Sequence, residues 1–327
     1  MQLQAIDLFA GAGGLSLGLT RAGWDVVAAC EIDQSAAQTH HLNFPSTKLF
    51  GDVREIDFRA FKNIDLLAGG PPCQPFSVAG KQLAGSDGRD MIPEFIRAIT
   101  EAQPKAFLLE NVPGLIAAKN ADYSQKIINQ LNDLGYDLSI KKVNAADYGV
   151  AQKRERILFI GFKKKLDFQF PAPTHGISAP NPYINSSTVL IDVPDCEPNK
   201  AIVTYAKNPV LRPSPWAGML VNGQGRPINP NTPSQTIPAT AGGNRTHILD
   251  PHGILLAYHQ HLIQGGKPYV GKVEGVRRLN IRESARIQSF PDSFEFLGSK
   301  SSQYAQIGNA VPPILAQVIS AAIKQYF

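Results

Sequence analysis

Ile6-Asp-Leu-Phe-Ala-Gly-Ala-Gly-Gly-Leu-Ser-Leu-Gly-Leu-Thr-Arg-Ala22 is the stretch whose reading decides the fold. Ile6 to Phe9 reads as a strand and Ala10 to Gly14 as a glycine-rich turn. Leu15 to Ala22 reads as a helix, since Leu15, Leu19 and Ala22 share one face at helical spacing and Gly23 stops it. Trp24 to Glu31 is a second strand, ending in Cys30-Glu-Ile-Asp33. A glycine-rich turn feeding a helix lets a ligand approach the backbone closely and meet the helix N–H groups. Glu31 lies about 20 residues past the turn, where an acidic residue commonly accepts hydrogen bonds from ribose hydroxyls. The unit predicts an α/β protein.

Working outward, the turn resembles a dinucleotide fingerprint, but Ser16 stands where G-x-G-x-x-G has its third glycine. Nicotinamide, flavin and S-adenosylmethionine enzymes all fit it. Gln34 to Leu42 is a helix, and Asp52 closes the next strand, placed either to read an adenine amino group or to cap a helix. Ile64-Asp-Leu-Leu-Ala68 is a short buried strand that runs into Gly69-Gly-Pro-Pro-Cys-Gln-Pro-Phe-Ser77. Cys73 thus arrives on a proline-stiffened loop at a strand end, as a candidate nucleophile or as a small packed residue. The polar segment Val78 to Asp90 is long for a connection and reads as a mobile active-site loop. Ala106 to Leu109 is another buried strand, and it ends at Glu110, a carboxyl placed to donate a proton or to face solvent. Gln152, Arg154 and Arg156 alternate, so on an extended backbone they share one face, either suited to phosphate or carbonyl groups or simply an exposed edge decorated with arginine.

The 327 residues are enough for one large domain and a smaller one, and 43% hydrophobic content suits a soluble globular core. No apolar run reads as a membrane span and no signal peptide is evident. The three cysteines show neither metal-ligand nor disulfide spacing, which favours a cytoplasmic setting. Residues 1–150 carry 13 Lys+Arg against 17 Asp+Glu, and the remainder 19 against 10, so the second half either contacts a polyanionic partner or carries a solubilising basic surface. From about 170 to 275 the chain is rich in Pro, Asn, Thr and Gly with little helical periodicity, and reads as a small domain of short strands and loops. Arg277, Arg278, Arg282 and Arg286 are read as available to phosphates. An apolar helix closes the chain, Ile314 to Ile323.

Six blocks in order resemble the DNA (cytosine-5) methyltransferases of bacterial restriction–modification systems. They are Asp7-Leu-Phe-Ala-Gly-Ala-Gly-Gly14, Gly70-Pro-Pro-Cys-Gln-Pro-Phe-Ser77, Glu110-Asn-Val112, Gln152-Lys-Arg-Glu-Arg156, Arg282 to Asp292, and Gly308-Asn-Ala-Val-Pro312. The resemblance implies that Cys73 adds to C6 of a cytosine and makes C5 nucleophilic. Glu110 would hydrogen-bond N3 and the exocyclic amine, Arg154 would contact the base carbonyl and Arg156 would support the site. S-adenosylmethionine is the implied donor. Phe9, Gly11, Gly13 and Gly14 would line its pocket, Glu31 would take the ribose, Ile32 would pack on the adenine and Asp52 would read its amino group. Pro72, Asn309 and Val311 would close the pocket. No metal is implied.

The implied fold is a mixed, mostly parallel, Rossmann-like methyltransferase sheet with a smaller target-recognition domain. Residues 1–170 plus 303–327 would form the catalytic domain, and 171–302 the recognition domain and hinge. The implied substrate is duplex DNA with its target cytosine flipped out. Ser77, Gln82, Gln152, Arg226 and Arg245 are the candidate DNA contacts, with Gln235 also carrying a suitable donor pattern. A monomer is expected, with a restriction endonuclease acting on the same sequence as its functional partner. Other readings fit less well. A nicotinamide oxidoreductase leaves Cys73, Glu110 and the arginines unexplained. A zinc deaminase needs a second cysteine after Pro-Cys, and a non-catalytic DNA binder needs neither Cys73 nor Glu110. An RNA cytosine-5 methyltransferase is chemically nearest.

Overall fold

In the computed structural model, which describes residues 2–72, 90–194 and 196–327, the first half of the chain builds one seven-stranded sheet. Its strands are β1 (Gln4–Leu8), β2 (Asp25–Cys30), β3 (Lys48–Phe50), β4 (Leu66–Gly69), β5 (Ala106–Asn111), β6 (Asp137–Asn144) and β7 (Glu155–Phe162), in the order β3-β2-β1-β4-β5-β7-β6. Pairs from β3 through β5 are parallel, and β7 runs against both β5 and β6. The sheet is therefore mixed and mostly parallel, as expected. β4 and β5 are buried along their whole length, apolar in β4 and through Leu109 in β5, because helices cover both faces. From β1 the chain moves outward to β2 and β3, then returns to the other side of β1 as β4. Strand order thus reverses between β1 and β4, and such a switch point opens a crevice at the carboxyl ends of the strands.

Helices α1 (Gly14–Arg21), α2 (Gln34–Asn43), α3 (Ile92–Ala102) and α4 (Ala121–Asp133) connect these strands. Phe95, Ile99, Ile127 and Leu131 from α3 and α4 pack on Ile6 and Leu8 over one face. Leu15 and Leu19 of α1 pack with Ala5 and Leu66 over the other.

The small domain contains α5 (Ser186–Val189), the ribbon of β8 (Tyr205–Val210) with β9 (Met219–Val221), and β10 (Ile248–Leu249), followed by α6 (Ile254–Ile263) and β11 (Arg277–Arg278), which pairs with β10. Its core joins Val203, Leu220, Val221, Ile248, Leu255, Tyr258 and Leu262. Helix α6 departs from the expectation of strands and loops alone. Leu255, Tyr258, His259 and Leu262 are its buried residues, at the i, i+3, i+4, i+7 spacing of an amphipathic helix. Both carboxylate oxygens of Asp250 accept N–H groups of its first turn, from Ile254 and Leu255.

The chain then forms α7 (Ile281–Ile287), opened by a reciprocal cap between Asn280 and Glu283, and α8 (Lys300–Asn309) and α9 (Pro313–Lys324). Between α7 and α8 it rejoins the first domain, where Phe290, Phe294 and Phe296 pack with Ala12 and Phe44. Lys300–Lys324 is long and apolar enough to pass for a membrane span. It is two helices, however, broken at Ala310-Val-Pro312, and Leu315, Ile319 and Ile323 are buried in the core shared with α1. Trp24 Nε1 donates to Ser320 O at 3.1 Å, fixing α9 beside the β2 entry.

Candidate active site

The turn after β1 is held by groups that the sequence reading assigned to a ligand. Glu31 accepts from Gly11 N–H at 2.8 Å and from Asp33 N–H at 2.7 Å, one bond to each carboxylate oxygen. Burial raises its pKa, and these backbone donors partly offset the rise. Each oxygen keeps a lone pair for a hydroxyl. Phe9 and Gly11 both have positive φ, 59° and 56°, and a Cβ added at Gly11 would meet open space. At Gly14 a Cβ would come within 2.4 Å of Val311 O, so the C-terminal segment can close on the turn only because that position is glycine. Gly13, at φ 100°, packs against Phe44 in the same way. Ile32 is 68% exposed although apolar. Asn309 is exposed and Val311 half-buried beside the turn.

An open backbone approach, a carboxylate with free lone pairs and an uncovered apolar side chain are what an adenosyl group needs, and these residues fit S-adenosylmethionine. Asp52 does not present a free carboxylate. It caps the short 3-10 helix Val53–Glu55 and binds Arg54 through both oxygens, and these bonds hold its pKa down to about 2. Of the two roles open to it, the structure displays capping.

Beneath the turn lies a polar chain the sequence reading missed. Ser16 Oγ donates to Asp7 Oδ2 at 2.6 Å and contacts His40 Nε2 at 2.9 Å, all three residues being buried. Burial pushes Asp7 up to about 7 and His40 down to about 4. The signal available was Asp7 itself, a carboxyl inside an apolar strand.

At the end of β5, Glu110 is buried and pairs with Arg156, whose Nε lies 2.6 Å from Glu110 Oε1. Glu110 Oε2 faces the backbone of Gly70, 3.1 Å from where a Cβ would stand. Asn111 Nδ2 donates to Pro71 O at 3.0 Å, and Pro72 O accepts from Met91 N–H at 3.1 Å. The Glu110–Arg156 pair therefore borders the residues that lead to position 73. Cys73, Ser77, Gln82 and the segment up to Arg89 lie outside the described residues.

Arg154 is fully buried and does not share the setting of Arg156. Its Nη1 and Nη2 donate to Ile237 O and Gly308 O at 3.3 and 2.9 Å, and among the described residues its Nε has no partner. Burial drives its pKa well down, Arg156 adds to this and Glu110 opposes it.

Gln152 needs correction as a DNA contact. It is 0% exposed, its Nε2 donates to Gln288 Oε1 at 2.5 Å and its Oε1 accepts from Ile237 N–H at 3.2 Å. Gln288 in turn donates to Ala310 O at 2.6 Å. The peptide of Ile237 is thus gripped at both ends by Gln152 and Arg154, and each grip continues to the segment 308–310 beside the turn. Nothing in the residue type of Gln288 disclosed this role.

Arg278, Arg282 and Arg286 turn inward, while Arg277 is exposed but ion-paired. Arg277 pairs with Glu283 and Arg286 with Asp292, while Arg282 donates to Pro291 O and Phe294 O. Arg278 is buried against Thr246 and Asn222. Arg278, Arg282 and Arg286 are therefore structural, and Arg277 already carries a carboxylate partner. Gln235 Nε2 is used by Trp216 O at 2.6 Å. Arg226 and Arg245 are exposed, and neither side chain has a partner among the described residues.

Comparison with known proteins agrees with this geometry. The family profile of C-5 cytosine-specific DNA methylases matches residues 3–325. The Type II methyltransferase M.NgoMIV of Neisseria gonorrhoeae is 38% identical, covering 99% of this chain and 97% of that protein. M.FnuDI of Fusobacterium nucleatum, also a Type II methyltransferase, is 34% identical over 99% and 94%. Among solved structures, a Spodoptera frugiperda DNMT2 mutant superposes with a TM-score of 0.72 over 98% of both chains at 19% identity, a likeness of fold.

Proposed function

Since the chain belongs to the C-5 cytosine-specific DNA methylases of restriction–modification type, we propose that it methylates C5 of a cytosine flipped out of a short duplex DNA sequence, with Cys73 as nucleophile and S-adenosylmethionine as donor. The observation that carries this reading is the Glu110–Arg156 pair. It is buried at the carboxyl end of β5, one strand from the switch point and beside the backbone that leads to Cys73.

C5 of cytosine is a poor nucleophile. The Cys73 thiolate adds to C6, and the electron pair of the C5–C6 double bond moves into the ring. Glu110 hydrogen-bonds N3 and the exocyclic amine, so the developing charge is offset where it appears. Arg156 holds the Glu110 carboxylate in place, and Arg154 lies behind it as a buried cation near the base carbonyl. C5 would then take the methyl group as its bond to the donor sulfur breaks, the sulfonium leaving as a neutral thioether. A base takes the C5 proton, the C5–C6 double bond re-forms and the Cys73 thiolate leaves. S-adenosylmethionine, when bound, supplies an electrophilic methyl group on a sulfonium. Glu31 is assigned to its ribose, Ile32 to its adenine, and Phe9, Gly11, Gly13, Gly14, Pro72, Asn309 and Val311 to the walls. Flipping is needed because a stacked cytosine hides C6, and it costs a few kcal/mol. Arg226 and Arg245 are assigned to DNA, with Ser77 and Gln82 on the catalytic side. The Type II relatives support a cognate endonuclease as functional partner and a cytoplasmic setting, the enzyme acting as a monomer.

Methyl transfer from labelled S-adenosylmethionine to mixed-sequence duplex DNA tests the reading, wild type beside Cys73→Ser. Label at C5 of cytosine in wild type alone is expected. Label on structured RNA and none on duplex DNA would overturn the substrate assignment. Full activity of Cys73→Ser would overturn the mechanism.

A further inference from the structure

Asp7, Ser16 and His40 are each 0% exposed, and the chemistry proposed above uses none of them. They join the two turns assigned to the donor. Asp7 stands near the end of β1, just before Phe9, and Ser16 in the first turn of α1, just after Gly14. His40 stands in the last turn of α2, the helix that follows Glu31 and Ile32. A Cβ on Gly13 would lie 3.1 Å from the ring of His40, which packs on Phe44 with centroids 4.8 Å apart. The three side chains are thus the floor of the glycine turn.

Ser16 Oγ carries one proton and has a neighbour on each side, Asp7 Oδ2 at 2.6 Å and His40 Nε2 at 2.9 Å. Two proton arrangements satisfy it. With Asp7 ionised, Ser16 donates to the carboxylate and accepts from Nε2–H. With Asp7 protonated, the acid donates to Oγ, which donates to Nε2. The chain can therefore gain or lose a proton without breaking. Asp7 Oδ1 and His40 Nδ1 have no partner among the described residues, so no fixed donor locks either form. Asp52 is the opposite case, its carboxylate held by Arg54. Burial brings the changeover of Asp7 to about 7 and keeps His40, at about 4, neutral there.

Among the described residues few other charges face the chain. Ala29 and Ala68 flank Asp7 on the neighbouring strands, and β4 offers only Leu66-Leu-Ala-Gly69. On β2, Cys30 is pushed up to about 12 and stays a thiol. On α2, His41 lowers His40 further. Glu31 raises Asp7 from the end of β2. Glu31 is bonded to Gly11 N–H in the turn itself, so charge placed at the turn is felt at Asp7.

S-adenosylmethionine and its product S-adenosylhomocysteine differ by the methyl group and by the positive charge on sulfur that goes with it. We infer that the Asp7–Ser16–His40 chain makes the protein prefer the sulfonium donor over the neutral thioether product, by releasing its proton to solvent when a cation occupies the turn. The inference rests on the methyltransferase reading above and deepens it. Asp7 is the specificity-determining residue, and Ser16 and His40 are positioning residues that hold its proton. A cation favours the ionised form, so donor binding expels the proton and strengthens as pH rises through 7. Product binding leaves the proton in place. At an effective dielectric of about 20, a unit charge ~10 Å away changes a proton equilibrium roughly tenfold.

The test is titration calorimetry of the full chain with each compound at pH 6, 7 and 8, in two buffers of different ionisation enthalpy. In wild type the product-to-donor ratio of Kd values should rise about fivefold from pH 6 to pH 8, and at pH 7 donor binding should release about 0.4 more protons than product binding. Asp7→Asn keeps an acceptor for Ser16 and cannot ionise, and its ratio should change by less than about twofold, the remainder belonging to Glu31. A packing defect would weaken both compounds alike and leave their ratio untouched. Equal proton release by the two compounds in wild type overturns the inference alone, and so does a ratio in Asp7→Asn that rises as in wild type. Should Asp7→Asn fail to fold, the wild-type proton count decides by itself. No binding of S-adenosylmethionine by wild type overturns the underlying reading.

Discussion

Two buried sites, one in each domain, hold charge in different ways. In the first domain buried ionisable groups meet one another: Asp7 and His40 through Ser16, and Glu110 with Arg156. In the small domain the buried Arg278 meets only backbone and amide oxygens. A cation whose two Nη atoms are held by fixed oxygens, as those of Arg278 are, serves as scaffold, although its Nε has no partner among the described residues. An acid held by one cation or hydroxyl keeps lone pairs for a ligand and a protonation state that neighbours can shift. At these two sites chemistry falls to Glu110 and shape to Arg278; Arg154, buried in the first domain, donates only to Ile237 O and Gly308 O and is of the Arg278 kind.

The largest effect that would break this contrast is at Glu110. Glu110→Gln keeps size and one acceptor but loses the charge, and kcat should fall by ~10²–10⁴-fold, read by single-turnover methyl transfer. Donor affinity should not move. A variant within threefold of wild type would place Glu110 among the scaffold groups and erase the distinction.

At Arg278 the contrast is sharpened by stability. Arg278→Ala leaves Thr246 O and Asn222 O without their buried donor and should cost about 1–3 kcal/mol, seen as a lower urea midpoint at unchanged slope. The exposed Arg226→Ala should change stability by less than about 0.5 kcal/mol, yet weaken DNA binding by about 1–3 kcal/mol if it reads a base. Equal stability losses would mean that Arg226 is also structural.

These residues also show what could be read from the sequence. Strand, glycine turn, helix and strand from Ile6 to Glu31 were legible because local spacing alone dictates them, and so was the position of Glu110 at a strand end. The fate of the arginines was not. Arg277 and Arg286 each find an acid six residues on, Glu283 and Asp292, a pairing made by the turns around α7 and not by helical spacing. Alternation put Gln152 on a face suited to phosphate or carbonyl groups, but its partners Gln288 and Ile237 lie 136 and 85 residues away. Helix α6 was readable from its i, i+3, i+4, i+7 apolar pattern, and was hidden only by the Pro- and Gly-rich composition around it.

The smallest expected effect comes from two large ones that cancel. Burial raises Asp7 from an ordinary value near 3.8 to about 7, so the fold favours its protonated form. That stability is fully present below the unfolded pKa and is lost as pH rises toward 7. His40 is lowered from 6.5 to about 4, so the fold favours the neutral ring, and stability is gained as pH rises through 6.5. Between pH 4 and 6.5 the two slopes oppose, each bounded by about 1.4 kcal/mol per pH unit, and their contribution in wild type should be nearly flat. Asp7→Asn should unmask a stability that rises with pH in this window, and His40→Gln one that falls. Urea unfolding of the three proteins at pH 5, 6 and 7 reads the differences directly. Parallel pH profiles would mean that neither group keeps a shifted pKa in the folded state.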